Sequence, residues 1–239
     1  MLGNLFKNKE MKATNHSVSV LFMLFSILFC VCLIAANVFE TKQFAFFGHS
    51  QTGGLLVFPI SYIINDVVCE VWGFKKARLL IWTGFVMNFF FVAVGVLCDC
   101  LPGAAYWGND EGFHAIFGLV PRIACASFAA FISGSFVNAY VMSKMKIRHG
   151  QERFSLRAIL STVFGETADS IIFFPLAFWG IIPAGELLLL MLVQVGLKTA
   201  YEIIVLPLTI RIVAWVKRHE QTDVYDNDIS YSIWKLFDL

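Results

Sequence analysis

The sequence predicts an all-α integral membrane protein, a bundle of six transmembrane helices with both termini on the cytoplasmic side. Three observations carry that prediction. Of 239 residues, 58% are hydrophobic and only 15% charged, with a mean hydropathy of +0.73, whereas a soluble domain would carry about 25% charged residues. The apolar residues gather in six runs, each close to or above the roughly 20 residues that crossing a hydrocarbon core of about 30 Å requires. Lys and Arg, finally, concentrate in alternate connections, which by the positive-inside rule fixes the orientation. The net charge of +1 says nothing of acidic or nucleic-acid partners, and no direct nucleic-acid binding is expected of such a chain.

Residues 1–16 hold Lys7, Lys9 and Lys12 and little that packs, so they read as a cytoplasmic tail. Residues 17–39 form the first span. That run exceeds the apolar core of about 7–15 residues of a secretory signal and shows no small-x-small cleavage site, so it is expected to stay in the mature protein. Residues 40–54 are a short polar loop with Lys42 and His49. The second span, 55–72, starts near Pro59 and carries Asn65, Asp66 and Glu70, and the third, 78–98, is interrupted only by Thr83 and Asn88. Residues 99–115 make the longest outer connection, with Asp110, Glu111 and His114 and no Lys or Arg.

The fourth span, 116–141, holds Arg122 near its start and Asn138 near its end. A basic segment follows, with Lys144, Lys146, Arg148, Arg153 and Arg157, and then the fifth span, 158–182. Ala126, Ala130 and Gly134 recur every four residues in the fourth span, as Ser161, Gly165 and Asp169 do in the fifth. Such rows of small residues let helices approach closely, so these two are expected to pack against each other. Past Pro183 and Gly185, the sixth span, 186–213, carries Gln194, Lys198 and Glu202 at intervals of four, then Pro207. Residues 214–239 read as a polar cytoplasmic tail with no lipidation or retention signal.

Ionisable groups at membrane depth are expensive and mark substrate or ion paths. Here they are Asp66, Glu70, Arg122, Glu166, Asp169, Lys198 and Glu202, five acids against two bases. Asp66 with Glu70, Glu166 with Asp169, and Lys198 with Glu202 each share one helix face at spacings of three or four. The centre of the candidate site is the stretch Gly165-Glu166-Thr167-Ala168-Asp169-Ser170. Asn65, Glu70, Asn138 and Glu202 are secondary polar candidates. Three other readings stand beside this one. The acids pair internally with Lys198 or Arg122; Glu70 and Glu202 only reach the interface; and Arg122 snorkels to the headgroups. Phe173, Phe174, Phe178 and Trp179 read as packing or interfacial belt. The six cysteines read as structural, and all five histidines lie in tails or loops. No metal site, phosphate loop or nucleophile elbow is visible, and no cofactor is implied.

The run from Phe58-Pro59 through Asn65-Asp66 and Glu70-Val71-Trp72-Gly73-Phe74-Lys75-Lys76-Ala77-Arg78 resembles the second-helix signature of the queuosine precursor transporters, also called the vitamin uptake transporter family. Ser161-Thr162 with Gly165 to Ser170 is similar to that family's fifth-helix signature, and residues 37–42 to the end of its first helix, with Phe39 and Glu40 in place of small residues. The resemblance implies a six-helix protein of the bacterial inner membrane that imports 7-deazaguanine bases: the nitrile, the aminomethyl base or queuine. Such a base presents adjacent N–H donors that one carboxylate can accept in a two-pronged pair, and a flat face for stacking. Asp169 or Glu166 would take the donor edge, with Ser170 beside them and Asp66 as a second polar contact. Arg122, Lys198 and Gln194 would serve the carbonyl side or hold the acids.

Two alternatives stand beside this reading, one related to it and one from another class. A binding subunit of an energy-coupling-factor importer would show an Ala-x-x-x-Ala pattern in its first helix, and neither Ala35 nor Ala36 has an alanine four residues away. An intramembrane aspartyl enzyme would use Asp66 and Asp169. The sequence leaves the preferred base, the energy source and any homo-oligomer open.

Overall fold

Ser19 starts the first helix by accepting a hydrogen bond from the Phe22 N–H at 3.2 Å, the usual way of satisfying an orphan amide at a helix N-terminus. The computed structural model describes residues 18–46, 49–118, 120–149, 153–180, 183–227 and 229–232. Residues 1–17, and with them the expected amino-terminal tail, lie outside the described residues. Helix α1 covers Val20–Phe39. Its apolar residues divide by face: Phe22, Phe29, Leu33 and Ala36 are buried, while Leu24, Ile27, Leu28 and Val31 are exposed as a lipid-facing side would be.

The connection that follows has more structure than a polar loop. Strand β1 (Gln43–Phe46) pairs antiparallel with β2 (His49–Thr52), and a 3-10 turn, Gly53–Leu56, leads into helix α2. Helix α2, Phe58–Asp99, runs through both the second and third expected spans in 42 residues and is broken at Gly73, with φ 82° and ψ 173°. Only glycine adopts that conformation without strain. A Cβ at this position would also sit 2.8 Å from both Asp226 Oδ1 and Val224 Cγ1.

Helix α3 (Asp110–Phe117) lies within the long connection, and α4 (Val120–His149), α5 (Phe154–Phe178) and α6 (Ala184–Glu220) complete the bundle. Helix α4 runs past the expected end of its span and α5 starts before the expected start of its own, so much of the basic segment after residue 141 is helical, with Lys146 and Arg157 buried, rather than looped; α6 likewise runs past residue 213. Among the described residues five helices are long and apolar enough to cross a membrane, and the chain is an all-helical, multi-pass membrane protein with one short hairpin.

The core between α1, α2 and α4 is built on Phe29, Leu33, Phe74, Leu80 and Phe131. Helices α4 and α5 pack as their small-residue rows predict. A Cβ on Gly134 would lie 2.9 Å from the Gly165 carbonyl oxygen, and one on Gly165 would lie 2.9 Å from that of Gly134. The two backbones therefore touch.

The segment expected as a free tail is docked. Backbone groups that a continuous helix would pair internally are paired at the Gly73 break by residues beyond α6. The Val224 N–H donates to the Val71 carbonyl at 3.1 Å, and the Phe74 N–H donates to both Asp226 carboxylate oxygens at 3.1 and 2.9 Å. Ser143 also donates its hydroxyl to Asp226, and Arg78 donates to the Ser230 and Ser232 carbonyls at 3.2 and 2.9 Å.

Candidate functional site

Helix periodicity and the Gly134–Gly165 crossing together decide what faces the interior. With α4 and α5 in backbone contact, Glu166, Asp169 and Ser170 of α5 turn inward beside Asn138 of α4, all of them buried. The first half of α2 presents Asn65 and Asp66, and α6 presents Gln194, Lys198 and Glu202 down one buried stripe. Tyr62 stands where these helices meet, close to both glycines and within the field of Asp66, Glu166 and Asp169.

Lys198 is the hub. Its Nζ donates to Glu166 Oε2 at 2.7 Å and stands 3.7 Å from Asp169 Oδ2. The same ammonium lies 4.1 Å from the centre of the Phe58 ring, a cation–π contact in a desolvated setting. Phe58 in turn packs against Tyr62, with ring centroids 5.4 Å apart. One cation thus holds two acids on an aromatic platform. Each of those charges would cost roughly 2.5–3.5 kcal/mol if placed in lipid unpaired. Glu166 Oε1 and Ser170 Oγ are buried with no hydrogen-bond partner among the described residues, so the cluster presents an acceptor and a hydroxyl beyond what its own pairing consumes. A group bringing N–H donors on a flat ring would meet acceptors on one side and an aromatic face on the other.

Asp66 lies in the adjoining layer. Asn138 Nδ2 donates to Asp66 Oδ1 at 2.6 Å, and Glu202 faces the same carboxyl. Asn65 Nδ2 donates to the Ser135 carbonyl at 3.4 Å and ties α2 to α4. The structure therefore brings Asp66, Asn65, Asn138, Glu166, Asp169, Ser170, Gln194, Lys198 and Glu202 into one buried polar interior.

Two of the expected residues lie elsewhere. Arg122 is exposed and donates to the Leu176 and Trp179 carbonyls at 3.3 and 3.2 Å, so it closes the C-terminal end of α5. Glu70 belongs to a network at the other end of the bundle. Its carboxylate is 2.6 Å from Arg157 Nη2 and 2.7 Å from Lys217 Nζ, and Lys146 donates to its carbonyl oxygen and, at 2.6 Å, to Asp223.

Sequence reasoning missed Phe58, Tyr62, Thr162 and Glu40. An aromatic in an apolar run carries no signal of what it faces, and Thr162 looks like any helical threonine until its hydroxyl is seen turned toward Glu202. Glu40, placed in a loop by its charge, caps α1, packs against Gly54 and faces Lys198 and Asp169. Burial pushes its carboxyl above the usual carboxylate range, against the opposing pull of Thr52 and Lys198. Its signal was already in the sequence, as an acid where small residues were expected.

Comparison with known proteins gives a consistent picture. The profile of the family described as "Putative vitamin uptake transporter" matches residues 52–212. A protein of Bacillus subtilis named "Probable queuosine precursor transporter" is 31% identical over 177 residues, which is 73% of this chain and 76% of that protein. The "Queuosine precursor transporter" of Escherichia coli is 28% identical over 157 residues, 64% of this chain and 67% of its own length. No solved structure matches the chain.

Proposed function

Because the chain belongs to the vitamin uptake transporter family, we propose that it is a carrier, not an enzyme, and that it imports queuosine precursors of the 7-deazaguanine class into the cytoplasm. The observation that carries this reading is the Lys198-held pair of acids, buried at membrane depth with Glu166 Oε1 and Ser170 Oγ left unpartnered beside the Phe58–Tyr62 rings. The donor edge of the base engages Glu166 or Asp169, its flat face stacks on Phe58 or Tyr62, and Gln194 and Lys198 serve its carbonyl side. Asp66 is the second polar contact. Arg122 and Glu70 stand outside this contact set, each held by partners of its own, and Glu202 faces Asp66 rather than the Lys198 cluster.

Six crossings with both termini in the cytoplasm, in the bacterial inner membrane, complete the reading. Continuous α2 would be roughly 60 Å long, about twice a hydrocarbon core, and its break at Gly73 supports two crossings in its place. The basic residues near that break and in the segment between α4 and α5 support a cytoplasmic placement for both.

The test is restoration of queuosine in tRNA in a host that lacks both synthesis and uptake, with the nitrile, the aminomethyl base and queuine supplied separately. Expression of this chain restores the nucleoside from at least one of them. Asp169→Asn lowers that uptake about 10-fold to 100-fold, the value of one hydrogen bond to a charged group. Full uptake by the variant removes Asp169 from the contact set, and failure with all three bases overturns the assignment.

A further inference from the structure

The buried acids of the spanning helices differ in one respect. Glu70 has Arg157 and Lys217, and Glu166 and Asp169 share Lys198. Asp66 and Glu202 face each other from α2 and α6, 1% and 3% exposed, and among the described residues neither forms an ion pair with a Lys, Arg or His. The side chains turned toward them as hydrogen-bond partners from α4 and α5 are neutral. Asn138 Nδ2 donates to Asp66 Oδ1 at 2.6 Å, and Thr162 of α5, itself 2% exposed, is turned toward Glu202. Asp66 Oδ2 and Glu202 Oε2 accept no hydrogen bond from any described group. Two carboxylates in such a place repel each other without a counter-ion, whereas a single proton between them converts the contact into a hydrogen bond.

We infer that the Asp66–Glu202 pair is a proton-binding site through which this carrier couples import of its substrate to a proton gradient. The inference rests on the transport reading above and adds to it the driving ion. The pair takes a proton from the outer side, holds it as an O–H between the two carboxyls, and releases it on the cytoplasmic side; no other bond forms or breaks. Its surroundings provide both links that coupling needs. Glu202 follows Lys198 by one turn of α6, so the charge on the pair acts on the cation that holds Glu166 and Asp169. Asp66 precedes Glu70 by one turn of α2, and Glu70 lines a cleft of about 580 Å³ with Phe154, Ile210 and Lys217, at the end of the bundle where the tail docks. The titratable groups facing the pair are Glu70, Tyr62 and Cys69 on α2 and Glu166 on α5, while α4 contributes only neutral Asn138.

The full chain reconstituted in vesicles with a trapped pH dye tests this, with 7-cyano-7-deazaguanine, the aminomethyl base and queuine as probes. With the outside more acidic by one unit, substrate accumulates about tenfold if one proton accompanies each base. Adding substrate without a gradient acidifies the interior, and a protonophore abolishes accumulation. Glu202→Gln, which keeps a hydrogen-bonding side chain but cannot exchange the proton, exchanges labelled for unlabelled base without gradient-driven accumulation or a pH change. Exchange by the wild type with no proton movement, or accumulation driven by a sodium gradient instead, overturns the coupling and leaves the transport reading standing. Neither binding nor exchange of any of the three bases overturns both. The dye signal of the wild-type protein is decisive by itself, so the coupling stands or falls on it even where a Glu202 variant fails to fold.

Discussion

At the scale of single residues, Lys198 joins two buried acids. It is the only cation paired with Glu166 and Asp169 among the described residues, so removing it strands two buried acids. Breaking a buried pair on one side costs about 3–5 kcal/mol. Lys198→Met should therefore lower the thermal unfolding temperature of the detergent-solubilised protein markedly, and adding Glu166→Gln should recover part of the loss. A double variant as unstable as the sum of the two singles would mean that the acids are not coupled through Lys198. The membrane-depth acids and Lys198 were legible in the sequence because a charge inside an apolar run has few explanations. So was the pairing of Lys198 with Glu166 and Asp169, which stood among the readings of the sequence; the remaining partners were not. Spacing places residues on a face of one helix, but it does not say which face of another helix that face meets, so the contact of Asp66 with Glu202 of α6 and the pairing of Glu70 with Arg157 and Lys217 could not be read from it. The direction of the Arg122 side chain was hidden for a related reason: depth along the chain does not distinguish a side chain pointing inward from one that turns back to close a neighbouring helix.

At the scale of elements, contact between α4 and α5 is the condition for the site. The glycines allow it, and the atoms that a new side chain would meet at Gly134 include the Gly165 carbonyl oxygen and the Tyr62 hydroxyl. Backbone cannot move aside as a flexible side chain can. Gly134→Leu should cost about 1–3 kcal/mol of stability, the usual penalty for overfilling a packed interface, and should reduce uptake by shifting Glu166 and Asp169 away from α2. Thermal unfolding and uptake measured on the same variant check this; normal values of both would show that the helices have room to spare. Rows of small residues predicted this contact correctly. The same kind of reading could not foresee that the second and third spans form one element broken at Gly73, because a lone glycine among apolar and basic residues looks like an ordinary loop residue.

For the molecule as a whole, the segment after α6 is part of the fold. Asp226 accepts from the Phe74 amide and from Ser143, and Tyr231 packs on Phe74 with centroids 4.9 Å apart while Lys144 lies 4.1 Å from its ring. Asp226→Ala leaves the Phe74 amide without its acceptor and should cost about 1–3 kcal/mol. Proteolysis at the Gly73 break should then be faster than in the parent protein. A variant as resistant as the parent would mean that the break holds itself together. Composition hid this feature. A polar stretch with several acids reads as solvated chain unless the backbone groups awaiting it are known.

Docking of this kind also sets an order of events during synthesis. The residues that clamp the Gly73 break follow α6 in the chain, so they leave the ribosome after helices α1 to α6 have been made, and the junction between the two halves of α2 stays open until then. Completion of the bundle therefore waits on its last-translated portion. A chain halted at the end of α6 would hold every one of helices α1 to α6 and still present a junction exposed to quality-control proteases.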